Sequence, residues 1–186
     1  MANSENLDAR AVANAVLQLA RERGVSISNL KLQKLLFLCH VFFLARTGGG
    51  NLISGNFEAW QYGPVHREAY DAFKSYGDQP ITEAALRFNP VTRERTPIDM
   101  PDDQAVKDVV SDVVKTYGDW PPARLVELTH AKNGPWDHIV TSASSQANMA
   151  LKISNDVIKE RFKYLWFGKH PPIQGKEPND EKVLIA

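Results

Sequence analysis

The chain has 186 residues, 43% of them hydrophobic, with 22 lysines and arginines against 22 aspartates and glutamates. That length supports one well-buried core and a loose tail, and the cancelled charge excludes a global field that would gather nucleic acid or an anionic membrane surface. A single cysteine, Cys39, excludes an internal disulfide and suits a reducing compartment. The opening residues, Met1 to Arg10, are polar where a signal peptide would be basic and then apolar. The apolar run from Leu35 to Ala45 is interrupted by His40 and falls short of the roughly 20 residues that span a bilayer. A cytoplasmic, soluble protein with no membrane partner is expected.

Apolar residues recurring at helical spacing predict a first helix over about Leu7–Arg23, with Ala9, Val12, Ala13, Val16, Leu17 and Ala20 inward, Asn6 as cap and Gly24 as stop. A second helix, about Asn29–Arg46 after Ser28, is apolar nearly all round between Leu35 and Ala45, as a helix enclosed by others reads. It is expected to be central and to end at Gly48-Gly49-Gly50. Phe57–Tyr62 alternates enough for a strand, and Pro64 suits the first position of a following helix that carries Val65, Ala69, Ala72, Phe73 and Tyr76 inward up to Gly77.

Between Asp78 and Met100 the period disappears, and alternation around Leu86-Arg87-Phe88 and Thr96 to Met100 suggests a small hairpin. Helical spacing returns from Asp103 to Tyr117, carried by Val106, Val109, Val110, Val113, Val114 and Tyr117. Pro121-Pro122 open a short helix toward His130, Asn133-Gly134-Pro135-Trp136 reads as a loop or turn, and Ser154 caps a last helix with Ile158, Phe162, Leu165 and Trp166 on one face. The predicted fold is therefore mostly α. It is a compact single-domain helical bundle around a central apolar helix, with a short β-hairpin, spanning 1–167 and followed by a flexible C-terminal tail at 168–186 that is rich in proline, glycine and charge.

No catalytic constellation is legible. Cys39 and His40 are sequence neighbours on a helix, so their side chains diverge by about 100° and cannot form a nucleophile–base pair. His66, His130 and His138 lack close ligand spacing, so no metal or cofactor is expected. The glycine triplet follows a helix and precedes no lysine–serine or lysine–threonine pair, unlike a phosphate loop. Two features ask for an explanation. Lys31 and Lys34 occupy the start of the central helix, where the dipole disfavours positive charge; the answering group is either an internal carboxylate such as Glu58 or an acidic patch on a bound protein. The internal reading is preferred for Lys34, while Lys31, nearer the helix start, is expected closer to solvent. Trp60 and Tyr62 would point the same way on a strand and both be buried, leaving the Gly-Pro turn and His66, with Arg67 beside it, at the rim.

The run Leu30-Lys31-Leu32-Gln33-Lys34-Leu35-Leu36-Phe37, followed by Phe57-Glu58-Ala59-Trp60-Gln61-Tyr62-Gly63-Pro64-Val65, resembles the paired signature of the Panacea domain, the SocA-like or phage-associated GepA-like family. Further matches are Tyr70 with Phe73 to Gly77, Leu128-Thr129-His130 with Pro135-Trp136, and Ile153-Ser154 with Ile158 and Phe162, so the resemblance covers about Asp8 to Phe167. It implies an antitoxin that neutralises a toxin encoded beside it, with no catalytic residues and no required cofactor. The partner is then a cognate toxin, with Lys31, Lys34, His66, Arg67 and His130 as candidate contacts. Alternatives are an adaptor that delivers the toxin to a host protease and, below it, an enzyme using His66, His130 or His138. Nucleic acid is not an expected partner, although neutral net charge excludes only a broad basic surface and leaves repression of its own operon open. The segment 65–68 fits the family pattern loosely and 78–100 matches nothing in it, so partner choice can reside in either.

Overall fold

In the computed structural model, residues 6–143 and 151–165 are described. The expected tail at 168–186 and Trp166 lie outside them. Helix α1 runs Ala9–Glu22 and turns every inward residue expected of it into the core; its cap is Asp8, whose carboxylate accepts the Arg10 N–H at 2.8 Å, two residues later than the expected Asn6. Asn6 instead has a positive φ of 60° and leads into a bridge in which Leu7 pairs with Ile53.

Helix α2, Asn29–Thr47, is the centre of the molecule. Its residues from Asn29 to Val41 are all buried, Ser28 caps it, and Gly48 ends it in the left-handed region at φ 70°. Helix α4, Gln104–Tyr117, packs along both α1 and α2, with its four inner valines, Val106 and Tyr117 buried as the spacing required. Cys39 is a free thiol wholly inside this core, and burial pushes its pKa far up. The core continues under α5, Pro122–Thr129, and α7, Asn155–Arg161, the latter capped by Ser154 as expected.

Strand β1, Phe57–Trp60, turns back after Gln61-Tyr62 into β2, Gly63–Val65, and pairs on its other side with a two-residue strand β5, Lys152–Ile153. Three expectations change here. Pro64 is not the first residue of a helix; it sits opposite Ala59 in the sheet, and α3 begins only at Arg67, running to Phe73 before a 3₁₀ turn at Lys74–Tyr76. Ala72 is exposed, because that shorter helix turns Ala69 and Phe73 inward and Ala72 out. Tyr62 lies in the turn, half-buried, so it does not share a strand face with buried Trp60. Asn133-Gly134 is a turn, but Pro135 then opens a helix α6 of its own, Pro135–Ser142. The second hairpin forms as expected with β3 at Leu86–Phe88, but its partner β4 is Arg95–Pro97, one residue earlier than the expected start and ending three residues short of Met100. Among the described residues, no helix is long and apolar enough to cross a membrane.

Candidate functional site

Lys34 is wholly buried, 0% exposed, on the flank of α2 that faces the β1–β2 hairpin. Its ammonium donates to the Pro64 carbonyl at 3.1 Å, and the preceding Gln33 accepts the His66 N–H at 3.0 Å. Adjacent polar residues on the central helix therefore bond to strand β2 and the residue that follows it. Gln33 is in turn oriented by Asn29, at 3.1 Å, which donates to the Tyr70 carbonyl at 3.2 Å. Buried amides and ammonium groups are tolerable only with such partners.

Close approach at this point requires a glycine. Gly63 has φ +106°, and a Cβ on it would stand 2.7 Å from Thr129 Oγ1 and 3.2 Å from Lys34 Cε. Thr129 belongs to the end of α5, where its hydroxyl donates to the Val126 carbonyl at 3.0 Å. His130 follows and lies flat against Trp136 at the start of α6, ring centroids 3.6 Å apart and planes 9° from parallel. The Trp136 indole closes the circle by donating to the Trp60 carbonyl at 2.9 Å. Burial first, and then the charge of Lys34, lower the His130 pKa to about 4, so its ring is neutral at neutral pH.

The outer side of the hairpin carries the expected carboxylate, engaged elsewhere. Glu58 accepts from Arg67 through both oxygens, at 3.1 and 2.8 Å, and from the Trp60 indole at 2.8 Å. Arg67 lies over the Trp60 ring, 5.0 Å from its centroid, with its side chain 47% exposed. The positive charge of Arg67 is thus neutralised at the surface by Glu58, and Lys34 donates inward to the Pro64 carbonyl.

Of the five candidate contacts, the fold brings Lys34 and His130 together and sets Arg67 at the surface nearby. Lys31 is 7% exposed, against the expectation that it sits nearer solvent; its ammonium reaches back to the Ser26 carbonyl at 3.4 Å, away from the Pro64 carbonyl that Lys34 meets. His66 is 6% exposed rather than at a rim, because it closes the space beside Phe57 and donates from Nε2 to the Ser54 carbonyl at 2.9 Å. Buried His40, which also packs against Phe57, accepts the Ile53 N–H at Nδ1 and therefore donates from Nε2 to Asn155; desolvation lowers its pKa to about 4. Among the described residues, no group of three or more histidines, cysteines and carboxylates is placed to hold a metal ion.

Gln33, Thr129 and Asn14 are the residues that sequence reasoning passed over. Asn14 sits in the apolar stripe of α1 and clamps Ala85, donating to its carbonyl at 3.1 Å and accepting its N–H at 2.8 Å. A polar side chain on an otherwise apolar helix face was the available signal.

Lys34, Gly63, Thr129, His130 and Trp136 come from four separated stretches of chain and converge here, and all lie within residues 32–137, which match the family model described as Antitoxin SocA-like, Panacea domain. The chain belongs to this family. It is also similar to Antitoxin SocA of Caulobacter vibrioides (strain NA1000 / CB15N), 37% identical over 160 residues that cover 86% of this chain and 85% of that protein. No solved structure matches. Within the matched residues, Lys34, Gly63, Thr129, His130 and Trp136 form one packed neighbourhood that fixes the β1–β2 hairpin to α2, α5 and α6.

Proposed function

We propose that this chain is an antitoxin that neutralises a cognate toxin by binding it directly. The observation that carries the reading is the 37% identity, across most of both chains, to a protein named as an antitoxin. The chemistry of the converged motifs agrees with a binding role: the polar atoms of Gln33, Thr129 and the Trp136 indole are spent on bonds within the fold. Of the candidate contacts, Arg67 is the one with a substantially exposed side chain, and it belongs to the arginine–tryptophan pairing typical of binding hot spots.

The test is expression of the gene encoded beside this chain. Growth arrest by that gene alone, rescue by co-expression of this chain, and a stoichiometric complex of the two purified proteins are the expected results. Rescue at substoichiometric levels that disappears when a host protease is deleted would replace direct neutralisation with delivery of the toxin for degradation. Rescue abolished by His66→Ala or His130→Ala, with complex and melting temperature unchanged, would replace it with catalysis.

A further inference from the structure

Every residue from Leu86 to Pro97 is exposed, while the residues that anchor the two ends of this hairpin, Ala85 and Ile98, are buried. Asn14 holds the base through both backbone groups of Ala85. The segment is thus a ribbon fixed at its foot and solvated along its length. It nevertheless displays Leu86, Phe88 at 55% and Val91 at 90% exposure, and a two-stranded ribbon of this size gains little stability from showing such side chains to water. It also carries Arg87, Arg93 and Arg95 against Glu94 alone, and none of the three arginines lies within salt-bridge distance of a carboxylate among the described residues.

The two edges of the ribbon differ. Arg87 faces Thr96, and the Asn89 N–H bonds the Glu94 carbonyl at 2.9 Å, so the ladder bonds fall at 87–96 and 89–94. The N–H and C=O groups of Leu86 and Phe88 then point away from β4. On the other edge the equivalent position is Pro97, which has no N–H and blocks strand addition. The open edge of β3 overlooks a groove of about 380 Å³ lined by Leu86, Phe88 and Arg95 on the ribbon and by Asp71, Ser75 and Tyr76 on α3 and its 3₁₀ turn. Asp71 stands one helical turn after Arg67, so the exposed face of α3 runs from that groove back to Arg67.

We infer that the open edge of β3 is where the toxin docks, through an extended segment of alternating apolar and acidic residues that adds a strand to the ribbon. This rests on the antitoxin reading. Its apolar residues cover Leu86 and Phe88 on one face of the ribbon, its carboxylates meet Arg87 on the other, and its backbone takes the outward groups of Leu86 and Phe88. A protein segment suits the surface better than nucleic acid, because the outward backbone groups of β3 and the exposed Leu86, Phe88 and Val91 beside it match an extended chain with apolar side chains rather than a phosphate backbone.

The experiment uses the full chain and the purified product of the neighbouring gene. Amide exchange at Leu86 and Phe88 is expected to be rapid in the free chain and slowed at least about tenfold in the complex. Phe88→Ser and Arg87→Glu should each weaken binding at least about tenfold, with Lys115→Glu, a like charge change at an exposed position of α4, leaving it unchanged. Phe88→Pro should weaken it further than Phe88→Ser, since that N–H serves the added strand and not the ribbon. Absence of any complex with the wild-type chain overturns the antitoxin reading and this inference with it. A wild-type complex in which the two amides stay unprotected, or which Phe88→Ser and Arg87→Glu form equally well, overturns the docking site alone. Equal binding by the proline and serine variants overturns strand addition, and loss of a DNA probe or of self-association in place of toxin binding reassigns the ribbon.

Discussion

The neighbourhood of Lys34 and the β3–β4 ribbon are opposite solutions to the same problem of placing charge. In the first, an ammonium with no exposed surface is held against a backbone carbonyl, a glycine, a threonine and a stacked histidine–tryptophan pair. In the second, three arginines stand in solvent beside exposed leucine, phenylalanine and valine. Both regions lie within the residues that match the family model. Residues that must all fit one another cannot vary one at a time, whereas a ribbon anchored only at its foot can change along its length without disturbing the core. The first region is therefore bound by its packing and the second is not.

The contrast breaks most sharply under charge reversal. Lys34→Glu puts a carboxylate against the Pro64 carbonyl and should cost about 3–5 kcal/mol, measured by denaturant titration. Adding Glu58→Lys should not restore it, because Glu58 already serves Arg67 and the Trp60 indole. Lys34→Met, which removes the charge and keeps the length, should cost less, about 1–3 kcal/mol. If Lys34→Glu is neutral, the buried-scaffold reading of the motif fails.

Gly63→Ala should follow at about 2–3 kcal/mol, since it combines a φ of +106° with a methyl group 2.7 Å from Thr129 Oγ1. Pairing it with Thr129→Ser tests nothing, because the oxygen stays; Thr129→Val would not relieve it either, and Thr129→Ala should recover part of the loss. The melting temperatures of the single and double variants read this coupling.

Acid provides a graded version of the same comparison. His40 and His130 have folded pKa values of about 4, below the ordinary 6.5, so both are neutral when folded and take up protons more readily when unfolded. Their contribution is complete above about pH 6.5 and is lost as pH falls from there toward 4, at up to about 1.4 kcal/mol per pH unit for each. His40→Gln or His130→Gln should flatten that slope in a series of unfolding curves between pH 7 and 4. The ribbon contains no histidine, and Phe88→Ser, the smallest expected effect, should change stability by no more than about 0.5 kcal/mol at any pH in that range.

Periodicity alone made the helical frame legible, since the inward valines of α4 and the alanines and valines of α1 all reach the core. It failed where pairing between distant segments overrides local preference. Gly63-Pro64 has the chemistry of a helix start, yet Ala59 and Lys34 hold it in a sheet. Asn133-Gly134-Pro135 reads as a continuous loop, while Pro135 opens α6 because Trp136 must reach the Trp60 carbonyl. Strand β5 is two residues long and carries no alternation to read. Among the site residues, the lysine at the start of α2 is visible as a contradiction with the helix dipole, but its hydrogen bond to a carbonyl 30 residues away is something no local spacing encodes.

The one cysteine of the chain gives the core a built-in clock. Cys39 has no exposed surface and a thiol held far from ionisation, so an alkylating reagent can modify it only in molecules whose central helix has come away from its neighbours. The labelling rate then equals the rate for a free thiol multiplied by the fraction opened. Comparing that rate in cells with and without the bound partner would report how much of the antitoxin's lifetime is spent unfolded.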